Sequence, residues 1–401
     1  MQYSLFDAVT STFSASPARL SNAALYQNVA LTTGLDLTAR QPVGTDEAQH
    51  STGKRAVRWI QQTLKQLGLA ERIEGERGVW RLTATGKSKL TPAPSGHLML
   101  ACSTDLGIAI WGNHRDVFSR FDIPITLCLT SPPYPLASPR AYGNPTEHGY
   151  VDFVCEALEP IVRNLRAGGN IVLNISNDIF LSKSPARSLY RERLVIALHE
   201  RLGLHKMDEL IWHNPTKPPG PTYWSSITRV QLTATYEPVF WFTNDPACVV
   251  ADNRRVLLAH SEQQVRLMAS GGERSRRSSG DGAYTIRPES FSARTEGRIP
   301  RNVLSIPHRC AGKIALAQFA KSRELPVHGA TMPLALADFL VRYLSAQGDL
   351  VVDPFAGWLT SASAAEKNNR RWVVAEIMGE YARVGIERLR SAKGFAMGNF
   401  A

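Results

Sequence analysis

The chain has 401 residues, 43% of them hydrophobic and 20% charged, with a formal net charge of +11. That length predicts two or three structural units, the composition is that of a soluble globular protein, and no apolar run approaches the roughly 18 residues of a membrane span. An N-terminus without a basic stretch ahead of an apolar one predicts a cytoplasmic protein, and the charge favours a polyanionic partner, nucleic acid being the commonest.

Residues 1–92 predict a winged-helix-like N-terminal domain. In "GKRAVRWIQQTLKQLGL" the residues Val57, Ile60, Leu64 and Leu67 recur at helical spacing, while Lys54, Arg55, Arg58 and Lys65 point elsewhere. The helix should stop at Gly68. Beyond it, "AERIEGERGVWRLTATGKSKL" reads as two short strands around a turn at Gly75 to Gly78, with Trp80 and Leu82 alternating against Arg81 and Thr83. A basic helix followed by a hairpin suits DNA, and the alternative is a domain that packs on the main body or mediates dimerisation.

Residues 93–245 alternate strand and helix: "ITLCLTS", then "YVDFVCEALEPIVRNL", "GGNIVLNIS", "RSLYRERLVIALHERLG" and "ATYEPVFWFT". This pattern predicts an open α/β sheet with helices on its faces, in which ligands gather at the carboxyl ends of strands. The first of those ends carries "TSPPY". Its two prolines form a stiff, extended turn with bare carbonyls, ahead of an aromatic ring. Residues 246–325 are rich in Gly, Ser and Arg and read as a loop-rich insert. Its seven arginines between Arg266 and Arg298 suit contact with nucleic acid.

Residues 326–401 return to strand, loop and helix in "DLVVDPFAGWLTSASAAEKN", followed by the strand "RWVVAEI". Gly357 lets the backbone approach a ligand, and Glu376 at the next strand tip can accept hydrogen bonds from ribose hydroxyls. No GxGxxG fingerprint and no lysine of the P-loop type is present, so the predicted ligand is a nucleoside with a non-phosphate tail, such as S-adenosylmethionine. The five cysteines, Cys102, Cys128, Cys155, Cys248 and Cys310, lack the spacing of a disulfide framework or a zinc site; no metal is expected, and Cys128 reads as core.

"TSPPY", "DPFAG" and the strand-end glutamate, with "RAGGNIVLNIS", "YEPVFWFT" and "HGATMPLALADFLVRYLSAQGD" in order, resemble the bacterial amino-methyltransferases of DNA bases. The order, catalytic half first and S-adenosylmethionine half last, is similar to their β class. The resemblance runs from near Gly107 to Leu389 and implies a Rossmann-like α/β methyltransferase fold. It implies that Ser131 and the Pro132 carbonyl hold the target amine, that Pro133 completes the turn and that Tyr134 stacks on a flipped base. On the cofactor side it implies Asp353, Pro354, Phe355, Gly357 and Thr360 around methionine and adenosine, with Glu376 on the ribose. Asn174 is a further candidate for that pocket, with a turn-capping role as the alternative. Asn113 stands where many relatives carry an acid facing adenine.

Relatives with serine at the head of the motif act on cytosine N4, which is the expected target; adenine N6 comes next, and a DNA-binding protein without catalysis third. That third reading arises because Trp358-Leu359 replaces the small residue and glycine usual after Gly357, making the loop bulkier and less permissive of positive φ. The partners implied are double-stranded DNA, a cognate restriction endonuclease and a second copy of the chain.

Overall fold

A computed structural model of the protein describes residues 8–9, 12–13, 16, 18–43, 46–66, 69–83, 96, 98–135 and 145–398. The first unit contains β1 (Leu20–Ser21), α1 (Asn22–Thr33), β2 (Arg40–Val43), β3 (Asp46–Ser51), α2 (Thr52–Gln66), β4 (Ala70–Arg72) and β5 (Val79–Leu82). Its core is its own: Val57, Ile60 and Leu64 of α2 pack in one cluster with Leu25, Val29, Trp80 and Leu82. The alternation in β5 buries Trp80 and Leu82 and exposes Arg81. β5 pairs with β4 on one side and β1 on the other, so helix and hairpin follow in the expected order. Leu67 and Gly68, the expected end of α2, lie outside the described residues.

The main body supplies β6 (Met99–Ser103), β7 (Gly107–Trp111), α3 (His114–Phe118), β8 (Ile125–Thr130), α4 (Tyr150–Arg163), β9 (Leu165–Asn174), α5 (Tyr190–Leu202), β10 (His205–His213) and β11 (Tyr236–Thr243). Next come α6 (Glu262–Ala269), the hairpin of β12 (Arg277–Ser279) and β13 (Tyr284–Ile286), β14 (Val303–Ser305) and α7 (Ala311–Ser322). The chain ends with α8 (Leu334–Leu344), β15 (Leu350–Asp353), α9 (Thr360–Lys367), β16 (Arg371–Glu376), α10 (Gly379–Ile386) and β17 (Ala396–Met397).

Ten of these strands form one sheet in the order β14-β10-β11-β9-β8-β15-β16-β7-β6-β17. The five central strands, β9, β8, β15, β16 and β7, run parallel. A parallel sheet needs cover on both faces, which explains why all six residues of β8 are buried. Leu127 and Leu129 join the cluster containing α8 and α9, and Ile125 and Cys128 join the one containing α4 and α5. Cys128 is thus core, as expected.

Two features differ from the sequence reading. β10 was not expected, because only Leu210 and Trp212 of its nine residues are buried and no apolar run marks it. The segment 246–325 has more regular structure than its composition suggests, since β14 pairs in parallel with β10 and α7 spans twelve residues. All seven arginines between Arg266 and Arg298 are nevertheless exposed.

One buried side chain locks the two halves of the sheet domain together. Asn170 in β9 donates to the Val250 carbonyl at 2.8 Å and the Leu344 carbonyl at 3.1 Å, and accepts from Trp241 Nε1 at 2.8 Å. Both amide hydrogens and the amide oxygen are therefore engaged, each with a different segment. Asn170→Ala strands these partners in the core and should cost on the order of 3 kcal/mol. Urea unfolding followed by tryptophan fluorescence measures it.

Candidate active site

The tips of β8 and β15 lie side by side because Val351 and Val352 pair with Leu127 and Cys128. The proline turn follows the first strand and the glycine loop follows the second, so both empty into one cavity. Ser131, Pro132, Pro133 and Tyr134 line it together with Asp353, Pro354, Phe355, Gly357, Thr360, Glu376 and Asn113. Eleven of the twelve predicted site residues are thereby gathered in one place. Asn174 is the exception. Its amide faces Glu237 Oε2 and the Pro238 carbonyl, both at 3.4 Å, beside the proline turn rather than on the cavity wall.

Asp353 organises the loop more than it faces a ligand. It is buried, and its Oδ1 accepts from Thr130 Oγ1 at 2.6 Å and from the Phe355 N–H at 2.9 Å, while Oδ2 accepts from Ser361 Oγ at 2.6 Å. Burial pushes its carboxyl up to about 6, against the opposing pull of these donors. Glu376 accepts from the Gly357 N–H at 2.6 Å and the Met378 N–H at 2.8 Å, one bond to each oxygen, so each oxygen keeps an acceptor site. Burial raises this carboxyl to about 7.

Gly357 has φ +52, and a Cβ there would sit 3.0 Å from His328 Nε2, so conformation and space both favour glycine. Leu359, which stands where the resemblance expects a second glycine, has φ +51. The loop thus takes the left-handed turn without glycine, at a strain of roughly 1–2 kcal/mol. Complete burial of the Leu359 side chain offsets that strain.

Several groups on the cavity wall were not legible in the sequence. His114 packs edge-on against Phe355 at 4.7 Å, and Phe355 lies 5.5 Å from Phe153, which makes one wall aromatic. Asn113 beside it caps α3, its Oδ1 accepting from the Arg115 N–H at 2.9 Å. Burial lowers His114 to about 3, so the ring is neutral. His114 Nδ1, Thr331 Oγ1 and Trp358 Nε1 are buried on this wall without a hydrogen-bond partner among the described residues. Unsatisfied polar atoms of this kind are costly in a folded protein, and three around one cavity fit a polar ligand such as a nucleoside. The carboxylate of Glu376 at a strand tip completes the fit to S-adenosylmethionine.

On the other side of the turn, Tyr134 is buried with its hydroxyl 2.9 Å from Ser131 Oγ and 3.5 Å from Glu237 Oε2. Burial raises the phenol well above its usual range, with the Glu237 charge adding to it.

The two raised carboxyls make stability depend on pH. Asp353 and Glu376 hold protons more tightly folded than unfolded, so their contribution is full below the ordinary values near 4 and is lost as pH rises through about 6 and about 7. Without added ligand, the unfolding midpoint in urea should fall between pH 5 and pH 7.5. The doubly substituted Asp353→Asn, Glu376→Gln protein should show a smaller fall.

Comparison with known proteins agrees with this geometry. Residues 125–387 match the family model described as DNA methylase. The chain is 29% identical over 290 residues to the type II methyltransferase M.PvuII of Proteus hauseri, covering 70% of this chain and 83% of that relative. The solved structure of PvuII DNA methyltransferase (cytosine-N4-specific) superposes with a TM-score of 0.56 at 26% identity, over 72% of this chain and 88% of that one. The DNA adenine methyltransferase YhdJ of Escherichia coli (strain K12) is 34% identical over 73 residues, 18% of this chain and 25% of the relative. The chain belongs to the DNA methylase family of N4 and N6 amino-methyltransferases, enzymes with a Rossmann-like α/β fold that use S-adenosylmethionine to methylate DNA.

Proposed function

We propose that the protein transfers a methyl group from S-adenosylmethionine to the N4 amine of a cytosine flipped out of duplex DNA. The observation that carries this reading is the shared cavity, in which the Ser131–Tyr134 turn and the Asp353–Glu376 loop face one space. Cytosine N4 is favoured by Ser131 at the head of the turn and by the specificity named for the PvuII enzyme. Adenine N6 is the runner-up.

An exocyclic amine is a poor nucleophile because its lone pair is delocalised into the ring. Ser131 Oγ and the Pro132 carbonyl accept its two N–H bonds and favour a pyramidal nitrogen. Tyr134, fixed by its hydroxyl contacts, offers its ring for stacking, worth about 1–3 kcal/mol. That offsets much of the few kcal/mol that extruding a base costs. S-adenosylmethionine supplies an electrophilic methyl on a sulfonium. Glu376 accepts the ribose hydroxyls, Gly357 admits the close approach of the backbone, and the His114–Phe355–Phe153 wall shields the site from water.

The exposed arginines of the insert serve the DNA phosphates and base edges. Arg274, Arg276, Arg287 and Arg294 make no ion pair among the described residues and are free for that contact. We assign the N-terminal unit a winged-helix-like role on the same duplex. The type II label on M.PvuII favours a cognate restriction endonuclease as the functional counterpart.

Nucleosides from duplex DNA treated with the purified protein should contain N4-methylcytosine by mass spectrometry. N6-methyladenine alone would reverse the choice of base. Ser131→Ala should lower turnover roughly 100-fold or more while S-adenosylmethionine still binds. Undiminished turnover would mean that the catalytic centre lies elsewhere.

A further inference from the structure

Methylating an amine releases a proton, which needs an acceptor within reach of the proline turn that would hold the amine. From the wall itself, two hydroxyls lead away from the cavity. Ser131 Oγ lies 2.9 Å from the Tyr134 hydroxyl, which lies 3.5 Å from Glu237 Oε2. Glu237 itself does not line the cavity. An ionised carboxylate only accepts hydrogen bonds, so it sets the direction of the row: Tyr134 donates to Glu237, and Ser131 donates to Tyr134. Ser131 Oγ is then left with lone pairs facing the cavity, which is the polarity an amine N–H requires.

We propose that Glu237 is a positioning residue and proton terminus for methyl transfer, acting through Tyr134 and Ser131. This rests on the amino-methyltransferase reading above. As the methyl carbon leaves sulfur and bonds to the amine nitrogen, one N–H bond breaks and its proton goes to Ser131 Oγ. Ser131 passes its own proton to the Tyr134 oxygen, and Tyr134 passes its own to Glu237 Oε2, leaving a neutral carboxyl group and two restored hydroxyls. The sulfonium becomes a neutral thioether, so charge balances. The proton later leaves to solvent.

The surroundings of Glu237 suit a group that changes protonation. Its charged and titratable neighbours are Lys217 from the β10–β11 loop, Asp178 from the loop after β9, Tyr134, and Tyr190 of α5. Lys217 Nζ lies 2.8 Å from Asp178 and 3.8 Å from Glu237, so its charge is shared between the two carboxylates and opposes the effect of burial on Glu237. Asn174 contributes a contact of 3.4 Å. Every partner of Glu237 is therefore long, and burial raises its carboxyl above the ordinary range. The 3.5 Å reach from Tyr134 is one that shortens in reacting complexes.

The test is single-turnover methylation of duplex DNA at saturating S-adenosylmethionine, which removes the titrations of Asp353 and Glu376 that govern the cofactor side. Glu237→Gln should lower the rate roughly 100-fold with cofactor and DNA affinities unchanged. The wild-type rate should rise with pH along a limb that this variant lacks. Tyr134→Phe, which keeps the ring, should lose a similar factor, and the double variant should be no slower than either single one. A Glu237→Gln rate within threefold of wild type, an unchanged pH profile, or multiplying losses in the double variant would each overturn the proposal. If Glu237→Gln does not fold, the same comparison of rate and pH profile in Tyr134→Phe decides it. Wild-type protein that methylates no base would instead refute the reading on which it rests.

Discussion

The hydrogen bond from Thr130 to Asp353 spans 223 positions in sequence and 2.6 Å in space, and the geometry of the site depends on it. It fastens the last residue of one buried strand to the last residue of its neighbour. The proline turn and the glycine loop begin at those two residues, so a slip of either strand would separate them. A buried carboxylate is costly unless hydrogen-bonded, and the three donors around Asp353 come from β8, from the loop itself and from α9. Asp353 thus acts as the clamp of the loop, with its ligand-facing role secondary.

The same tip concentrates unfavourable terms. Leu359 holds a left-handed backbone without being glycine, and Asp353 and Glu376 are buried carboxylates with no cation bonded to either among the described residues. Strain of this kind persists only where surrounding structure over-determines it. Here the determinants are Leu359 and Trp358 packed in two separate clusters and the backbone N–H of Gly357 turned inward to Glu376.

Elements with a strong local signal were legible in the sequence. β8, β9, β11, β15 and β16 are apolar runs, α4 and α5 have helical periodicity, and the two contiguous motifs mark strand ends. β10 was hidden because it lies near the sheet edge with one solvated face, and β14 because three residues carry no period. At the site the contiguous residues were found, while His114, Phe153, Thr331 and Glu237 were not, since tertiary folding alone brings them there. Asn174 shows the complementary limit. Its position at a strand end was right, but a strand end has two sides, and only the fold says that this side chain turns towards Glu237.

The unusual chain order carries no physical penalty, because sheet neighbours are chosen by burial and register rather than by sequence. The insert obeys the same rule. It leaves β11 at Thr243, opposite Asn170, four positions before the tip of β9 and on the side of the sheet away from the site. It returns as β14 along Ile211 to His213, the end of β10, and β10 points the same way as β9 and β8. The intervening arginine-rich chain therefore has to climb from the far edge of the sheet to the edge that bears the cavity. A segment anchored in this way can carry many exposed cations without a core of its own, because its two ends are held by the sheet.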